Sequence, residues 1–288
     1  MQKNKLAQLL LPLFLIASIT NVIAQKSNHM ENKQSGYAPV NGLKMYYEIY
    51  GQGPLPLVLI HGGGSTIETS FANIIPFLAL DHKLIAVELQ AHGRTSDRDA
   101  QETFQQDADD VAGLLAHLGI EKADILGFSN GGSTTMQIAI RHPQLVHRII
   151  VISGACKREG MIPGFFDGFK NATLDQMPQP LQDGYRNVAP DPAKLQVMFE
   201  KDVYRMAHFT DWSDNDIRSI KAPALIMNAD HDVVMPEHAL QIARLIPNAQ
   251  LVILPGVHGE FLGERCTYKP GSKFPGITAQ LIDAFLQE

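Results

Sequence analysis

The stretch "ILGFSNGG", residues 125–132, places a serine between glycines directly after a short apolar run. Glycine and serine are common turn residues, so one interpretation is an ordinary turn at the end of a strand. The same letters also match G-x-S-x-G, the pattern of a sharp turn that exposes the hydroxyl of a nucleophilic serine. That motif needs a strand before the serine and a helix after it, so the neighbouring sequence decides between the two interpretations.

Short apolar runs alternate with helix-like segments along most of the chain. The runs are typical of strands buried on both faces and cover residues 55–60, 83–89, 123–128, 147–153, 222–228 and 249–255. Apolar residues recur with helical spacing in residues 103–118, 131–141, 237–245 and 278–287. This alternation predicts a mostly parallel sheet with helices on both faces, and the alternating residues 44–51 add an antiparallel edge hairpin. Ser129 therefore has the strand and the helix that the nucleophile motif requires.

One long interval interrupts the alternation, between the predicted strands that end near Ser153 and begin near Ala222. A structureless loop of that length is uncommon inside a compact domain. We therefore predict a helical cap at about residues 156–215, above the carboxyl ends of the strands, where α/β sheets bind ligands. Its large apolar side chains would pack the cap and wall a pocket: Met161, Phe165, Phe166, Phe169, Met177, Met198, Phe199, Tyr204, Met206, Phe209 and Trp212.

A nucleophilic serine requires donors for the oxyanion that forms when it attacks a carbonyl. The segment "HGGGS", residues 61–65, follows a predicted strand and has the form associated with such an oxyanion hole. Glycine lets the backbone approach a developing charge closely, so the predicted donors are the amides of Gly63 and Asn130, with Gly64 as a substitute for Gly63. A phosphate-binding loop is excluded, because no Gly-Lys-Ser or Gly-Lys-Thr follows.

A serine nucleophile also requires a base and an acid, which follow it in the order Ser, Asp, His when the motif is G-x-S-x-G. The segment "ADHDVVMPEH" after strand 222–228 offers Asp230 and Asp232. The segment "GVHGE" after strand 249–255 offers His258, the only histidine between residues 239 and 288. These positions predict His258 as the base and leave two candidates for the acid.

These segments together resemble the α/β-hydrolase superfamily over nearly all of residues 40–288. That family often carries G-D-x-D-x-x-x-P after its seventh strand, and "ADHDVVMP" matches with Ala229 in place of glycine. The resemblance implies that Asp232 is the acid and Asp230 is structural. It also implies an eight-stranded, mostly parallel sheet with helices on both faces and a helical cap. The segment "VELQAHGRTSD", residues 87–97, resembles the family's D-x-x-G-x-G-x-S loop, but with Glu88 and Ala91 at two of its positions.

The first 24 residues have the organisation of a signal peptide. Lys3 and Lys5 precede the apolar stretch "LLLPLFLIASI", residues 9–19, and a small residue, Ala24, lies where signal peptidase would cut. The apolar stretch is shorter than the roughly 18 residues that a membrane span needs. We therefore expect export, periplasmic or secreted, without stable insertion in a membrane. A single domain would follow at residues 25–288, with a polar, mobile leader at Gln25–Ser35.

Composition narrows the possible partners. The formal net charge is −6 and no run of Lys or Arg is present, which argues against nucleic acid and anionic membrane surfaces. No H-E-x-x-H or Cys/His spacing predicts a metal site, and the chemistry of the predicted residues requires no cofactor. Cys156 and Cys266 are compatible either with a disulfide or with two free thiols.

The sequence thus predicts an exported serine hydrolase that acts on small apolar carboxylic esters through an acyl-enzyme on Ser129. Two alternatives use the same residues: perhydrolysis, as in the non-haem haloperoxidases, and hydrolysis of carbon–carbon bonds. A third alternative, from another class, is a catalytically silent hydrolase fold that acts as a binding protein.

Overall fold

The computed structural model describes residues 33–288, and eight strands of that range form one sheet. The strands are β1 (Gln34–Val40), β2 (Leu43–Tyr50), β3 (Pro56–Ile60), β4 (Lys83–Val87), β5 (Ala123–Phe128), β6 (Val146–Ile152), β7 (Ala224–His231) and β8 (Ala249–Val257). They lie in the order β1-β2-β4-β3-β5-β6-β7-β8. Strand β2 is antiparallel to both of its neighbours, and β3 to β8 pair in parallel. The predicted mostly parallel eight-stranded sheet is confirmed.

The helices occupy the intervals that the sequence predicts, together with shorter turns of helix. They are α1 (Ile67–Phe71), α2 (Ile75–Leu78), α3 (Phe104–His117), α4 (Asn130–Arg141), α5 (Gln179–Val188), α6 (Leu195–Ala207), α7 (Asp214–Arg218), α8 (Pro236–Leu245) and α9 (Phe274–Leu286). Helices α5 and α6 lie in the long interval between β6 and β7, inside the predicted cap.

The beginning of the described range differs from the prediction. Strand β1 begins at Gln34, and Gln34 and Ser35 pair with Ile49 and Glu48 of β2. The expectation that the mobile leader extends to Ser35 is therefore wrong for these two residues, because the edge of the sheet supplies them with hydrogen-bond partners. The predicted signal peptide and the rest of the leader lie outside the described residues.

Alternate side chains of each strand point to opposite faces of the sheet, and helices cover both faces. In β3, Val58 and Ile60 belong to the apolar core that includes residues of α3, α4 and α8. Leu57 and Leu59 belong to the core that includes residues of α1, α2 and α9. This two-sided burial is the physical reason that the strands appear in the sequence as continuous apolar runs.

The open question about the cysteines has a clear answer in the fold. Cys156 is buried, Cys266 is exposed, and both are free thiols. The Sγ atom of Cys156 lies 3.6 Å from Nε2 of His238, and its backbone amide donates to the same nitrogen. Within residues 33–288, no helix is long and apolar enough to cross a membrane.

Candidate active site

Ser129 lies in the tight turn between β5 and α4, with φ of 56° and ψ of −120°. A residue other than glycine seldom adopts a positive φ, so this turn holds the serine in a strained conformation. The backbone amide of Ser129 donates to the carbonyl of Ile152 at 2.8 Å, which fixes the turn against β6. A Cβ on Gly127 would collide with the carbonyl of Gly131, and a Cβ on Gly131 with the carbonyl of Ile60. These collisions explain the glycines on both sides of the serine.

The carboxyl ends of the strands bring the three predicted side chains together. The Oγ atom of Ser129 lies 3.0 Å from Nε2 of His258. The Nδ1 atom of His258 lies 2.6 Å from Oδ1 of Asp232. This geometry lets His258 donate its Nδ1 proton to the carboxylate while Nε2 accepts the proton of the serine hydroxyl.

Asp232 is held in a fixed orientation by three donors besides His258. The hydroxyl of Ser153 donates to Oδ2 at 2.6 Å, and the amides of Val234 and Ala229 donate to Oδ1 and Oδ2 at 3.1 and 3.5 Å. Burial alone would raise the pKa of Asp232, but the nearby His258 and these hydrogen bonds outweigh it and lower the pKa. Asp232 is therefore an ionised, oriented partner for the imidazole.

Asp230 has a different environment. Its Oδ1 atom accepts a 2.8 Å hydrogen bond from the backbone amide of Gly256, and the residue is exposed. Asp230 thus ties the end of β7 to the end of β8 without contacting His258. Of the two candidates for the acid, Asp232 is the one within hydrogen-bond distance of His258.

The imidazole of His258 is partly exposed and lines a cavity. Its side chain is 27% exposed, whereas that of Asp232 is fully buried. The ring of Phe128 packs against the imidazole with 4.8 Å between the ring centres. His258 is therefore supported from below and remains open to a ligand above Ser129.

The predicted oxyanion donors flank Ser129. Asn130 is the first residue of α4, where backbone amides have no partner within the helix. Within residues 33–288, the Gly63 amide has no acceptor, while the Gly64 amide donates to Oδ2 of Asp202. Gly64 is therefore not available as the substitute donor. A Cβ on Gly63 would lie 2.5 Å from Nδ2 of Asn130, so a larger residue there would displace the Asn130 side chain.

Two cavities meet at Ser129 and Asn130. The larger has a volume of about 400 Å³ and includes Gly63 and Gly64 in its wall. Most of its remaining wall is apolar and comes from the cap, including Phe165, Phe169, Met177, Leu181, Met198 and Phe199. The smaller has a volume of about 210 Å³ and includes His258. Its apolar wall includes Phe104, Met161, Phe166, Met206 and Phe209.

Two of the apolar cap residues singled out in the sequence do not line these cavities. Tyr204 is 40% exposed and stacks on His208. Trp212 is buried against Phe104 and Phe209. Sequence spacing could not distinguish these roles, because all such residues share the same apolar character.

Two residues that contact the site carry no recognisable signal in the sequence. Ser153, at the end of β6, has a φ of 52° and supplies a hydrogen bond to Asp232. Asp202, on α6, is the one residue with a formal charge that lines either cavity within the described part of the chain, apart from the titratable His258. Both residue types are common in surface loops and helices, so only the folded arrangement reveals them.

The order of the strands and the side chains at their carboxyl ends define an α/β protein with its candidate site at that edge of the sheet. A family profile described as the alpha/beta hydrolase fold matches residues 56–211. The chain belongs to the α/β-hydrolase family.

The curated proteins that the chain resembles are named for several different activities. It is 30% identical over 234 residues to the dihydrolipoyllysine-residue acetyltransferase component of an acetoin cleaving system from Pseudomonas putida, covering 76% of this chain and 62% of that protein. The chain thus spans less than two thirds of that relative. It is 26% identical over 250 residues to a non-heme haloperoxidase from Rhodococcus erythropolis, covering 76% of this chain and 90% of that protein.

Solved structures share the fold. A serine hydrolase involved in carbazole degradation superposes with a TM-score of 0.70 at 23% identity, covering 88% of this chain and 99% of that chain. At this identity the likeness concerns the fold alone.

Proposed function

We propose that the protein is a serine hydrolase that cleaves small apolar carboxylic esters. The observation that carries the proposal is the continuous hydrogen-bonded series from Asp232 through His258 to Ser129, with distances of 2.6 and 3.0 Å. A serine is a weak nucleophile by itself, and an oriented imidazole within hydrogen-bond reach activates it.

In the proposed reaction, the Oγ atom of Ser129 attacks the ester carbonyl while Nε2 of His258 takes the hydroxyl proton. The resulting imidazolium is stabilised by the ionised Asp232 at Nδ1. His258 then gives the proton to the leaving alkoxide, and the C–O bond breaks to leave an acyl group on Ser129. Water, activated by the same imidazole, attacks the acyl-enzyme and releases the acid.

The backbone amides of Gly63 and Asn130 are the proposed donors to the oxyanion of the tetrahedral intermediate. The free Gly63 amide and the position of Asn130 at the first turn of α4 support this assignment. Donors fixed by the backbone stabilise a developing charge without reorganising during the reaction.

The cavities support a small, uncharged substrate. Because His258 lines the smaller cavity and protonates the leaving group, we place the alcohol there and the acyl group beside Gly63 in the larger cavity. Both walls are mainly apolar, and burial of apolar surface contributes about 25 cal/mol per Å². An anionic acyl group would meet Asp202 and no lining Lys or Arg, so such substrates are disfavoured.

A substrate panel tests the proposal with purified protein. Esters, lactones and amides of matched size are compared at neutral pH, together with a peracid-formation assay in acetate and hydrogen peroxide. The proposal predicts that simple esters have the highest kcat/KM. Ester turnover no faster than that of Ser129→Ala would contradict it.

Perhydrolysis is a second candidate, favoured by the likeness to the non-heme haloperoxidase. Hydrogen peroxide would replace water in the attack on the acyl-enzyme, and a peracid would leave in place of the acid. In the same panel, peracid formation that exceeds ester hydrolysis would favour this candidate.

We also propose that the protein is exported after cleavage near Ala24. The positive residues, apolar stretch and small residues of the first 24 positions support export. Sequencing the N-terminus of protein recovered from the native host tests this, with Gln25 expected at or near the start. Recovery of chains that retain residues 9–19 would contradict cleavage.

A further inference from the structure

Asp202 connects the cap to the loop that carries the predicted oxyanion donor. It lies on α6, is 8% exposed, and borders the larger cavity. Its Oδ2 atom accepts hydrogen bonds from the backbone amide of Gly64 and from Nε2 of His92, the latter at 3.0 Å. The carboxylate therefore reaches from a cap helix to the backbone immediately after Gly63.

The loop needs such an anchor because of its glycines. Gly62, Gly63 and Gly64 are consecutive, and Gly64 has a φ of 65°, in the left-handed region. The Gly62 carbonyl, which shares a peptide plane with the Gly63 N–H, bonds to Nδ1 of His61 at 2.7 Å and to the Ser65 amide at 3.3 Å. Glycine has wide conformational freedom, so these bonds leave the next peptide plane, after Gly63, to be fixed by another contact. Holding the Gly64 N–H fixes this second plane, between Gly63 and Gly64, so that both peptide planes flanking the Gly63 Cα are held.

Asp202 is itself held by two buried cations. Arg205 pairs with its Oδ1 atom and also with Asp107, at 2.6 Å, and Glu102, at 3.4 Å. The Nδ1–H group of His92 donates a hydrogen bond to the Gln90 carbonyl at 2.7 Å. With both ring nitrogens bonded to acceptors, His92 is held as an imidazolium. These contacts make Asp202 a rigid support rather than a mobile surface acid.

We propose that Asp202 is a positioning residue for the oxyanion hole, which holds Gly63 in place by fixing the peptide plane that follows it through the hydrogen bond to the Gly64 amide. This inference rests on the proposed serine hydrolase function. Because Asp202 belongs to the cap helix α6, the oxyanion hole is complete only while this helix contacts the loop.

Two other roles for Asp202 give different outcomes. If its negative charge acted directly on the reaction, Asp202→Asn would remove repulsion of the oxyanion and raise kcat. If Asp202 only fastened the cap through Arg205, Asp107→Asn would have the same effect, because Asp107 is also buried and bonds the same guanidinium. Asp107 contacts neither Gly63 nor Gly64, so Asp107→Asn is the matched control.

The experiment measures kcat and KM for p-nitrophenyl butyrate and the inhibition constant of an alkyl trifluoromethyl ketone, whose hemiketal carries an oxyanion. Asp202→Asn is expected to lower kcat and to raise the inhibition constant of the ketone by the same factor, about ten- to hundredfold. KM is expected to change less than about threefold. Asp107→Asn is expected to lower thermal stability and to keep both values within about threefold of the wild type. Circular dichroism establishes that each variant is folded.

Unchanged or increased kcat in folded Asp202→Asn would overturn the inference while leaving the hydrolase proposal in place. Equal losses in Asp202→Asn and Asp107→Asn would also overturn it, in favour of a purely structural role. If Asp202→Asn does not fold, Asp202→Glu keeps the charge and displaces the carboxylate oxygens, and the same parallel loss is expected. Wild-type protein without ester turnover or ketone binding would overturn both proposals together.

Discussion

The Nε2 atom of His258 lies 3.0 Å from Oγ of Ser129, although the two residues are 129 positions apart in the chain. Parallel strands produce this proximity, because their carboxyl ends meet at one edge of the sheet. The strained turn at Ser129 raises the hydroxyl above that edge, and the loop after β8 brings the imidazole to it. The proposed chemistry depends on this contact.

Removing either partner of this contact should remove the activity. Ser129→Ala and His258→Ala are each expected to lower kcat for a short-chain ester by several orders of magnitude, roughly 10⁴-fold or more. The double variant should lose little beyond either single variant, because the residues act as a unit. Steady-state kinetics with thermal melts as a folding control check this. Additive losses in the double variant would contradict a shared role.

The two acids of the loop after β7 should differ in their effect. Asp232→Asn is expected to lower kcat about 10⁴-fold, because the amide cannot hold the imidazole in the required orientation and charge state. Asp230→Asn is the matched control, since Asp230 contacts only the Gly256 amide among the nearby backbone groups. A few-fold loss of kcat at most is expected there. The reverse ranking would show that the acid is misassigned.

The buried ions beneath the cap predict destabilisation at alkaline pH. Burial by itself would lower the pKa of His92, but the Asp202 carboxylate outweighs it and raises the pKa from 6.5 to about 9. Burial also raises the pKa of Glu102, which faces Arg205, His92 and Asp202. Burial and the neighbouring His92 lower the pKa of His61 to about 3, so His61 does not titrate at alkaline pH. A group whose pKa is higher in the folded than in the unfolded protein stabilises the folded state fully at pH values below its unfolded pKa. This stabilisation is lost as the pH rises through its folded pKa.

Thermal melts between pH 6.5 and pH 10 measure this effect. Tm is expected to fall over this range, by about 2–4 °C for each kcal/mol of stability lost. His92→Gln, which carries no titratable group, is expected to have a lower Tm at pH 6.5 and a shallower decline. If Tm falls with pH as steeply in His92→Gln as in the wild type, the titration of His92 is not the cause of the fall.

The volume of the larger cavity predicts a limit on acyl length. A cavity of about 400 Å³ beneath a cap accommodates short chains but not a fully enclosed palmitoyl chain. The kcat/KM values for p-nitrophenyl esters are expected to be higher from acetyl to hexanoyl than for palmitoyl. Rates that increase steadily to the longest chain would instead indicate an open or mobile cap.

Much of the fold was predictable, because buried parallel strands leave continuous apolar runs in the sequence. The ends of elements were less predictable. Helix α9 begins at Phe274, four residues before the predicted start, because Pro275 is tolerated in a first helical turn. Strand β1 is the partner of β2 in the predicted edge hairpin. Its bounds were not predicted, because Gln34–Val40 is a partly exposed edge strand that contains glycine and proline.

The candidate site was predictable where a residue type and its motif coincide, as they do for Ser129, Asp232 and His258. Local sequence carries no such information for Ser153 and Asp202. Their contacts with Asp232 and Gly64 join strands and helices distant in the chain, so packing alone creates them. The choice between Gly63 and Gly64 likewise depended on Asp202.

Trapping of the covalent enzyme tests the central proposal most directly. A fluorophosphonate is incubated with the wild-type protein and with Ser129→Ala, and intact mass and peptide mapping locate the adduct. The account predicts one adduct per chain, on Ser129, with loss of ester hydrolysis in proportion to labelling and no adduct in the variant. Absence of labelling in folded wild-type protein, or labelling that persists in Ser129→Ala, would contradict it.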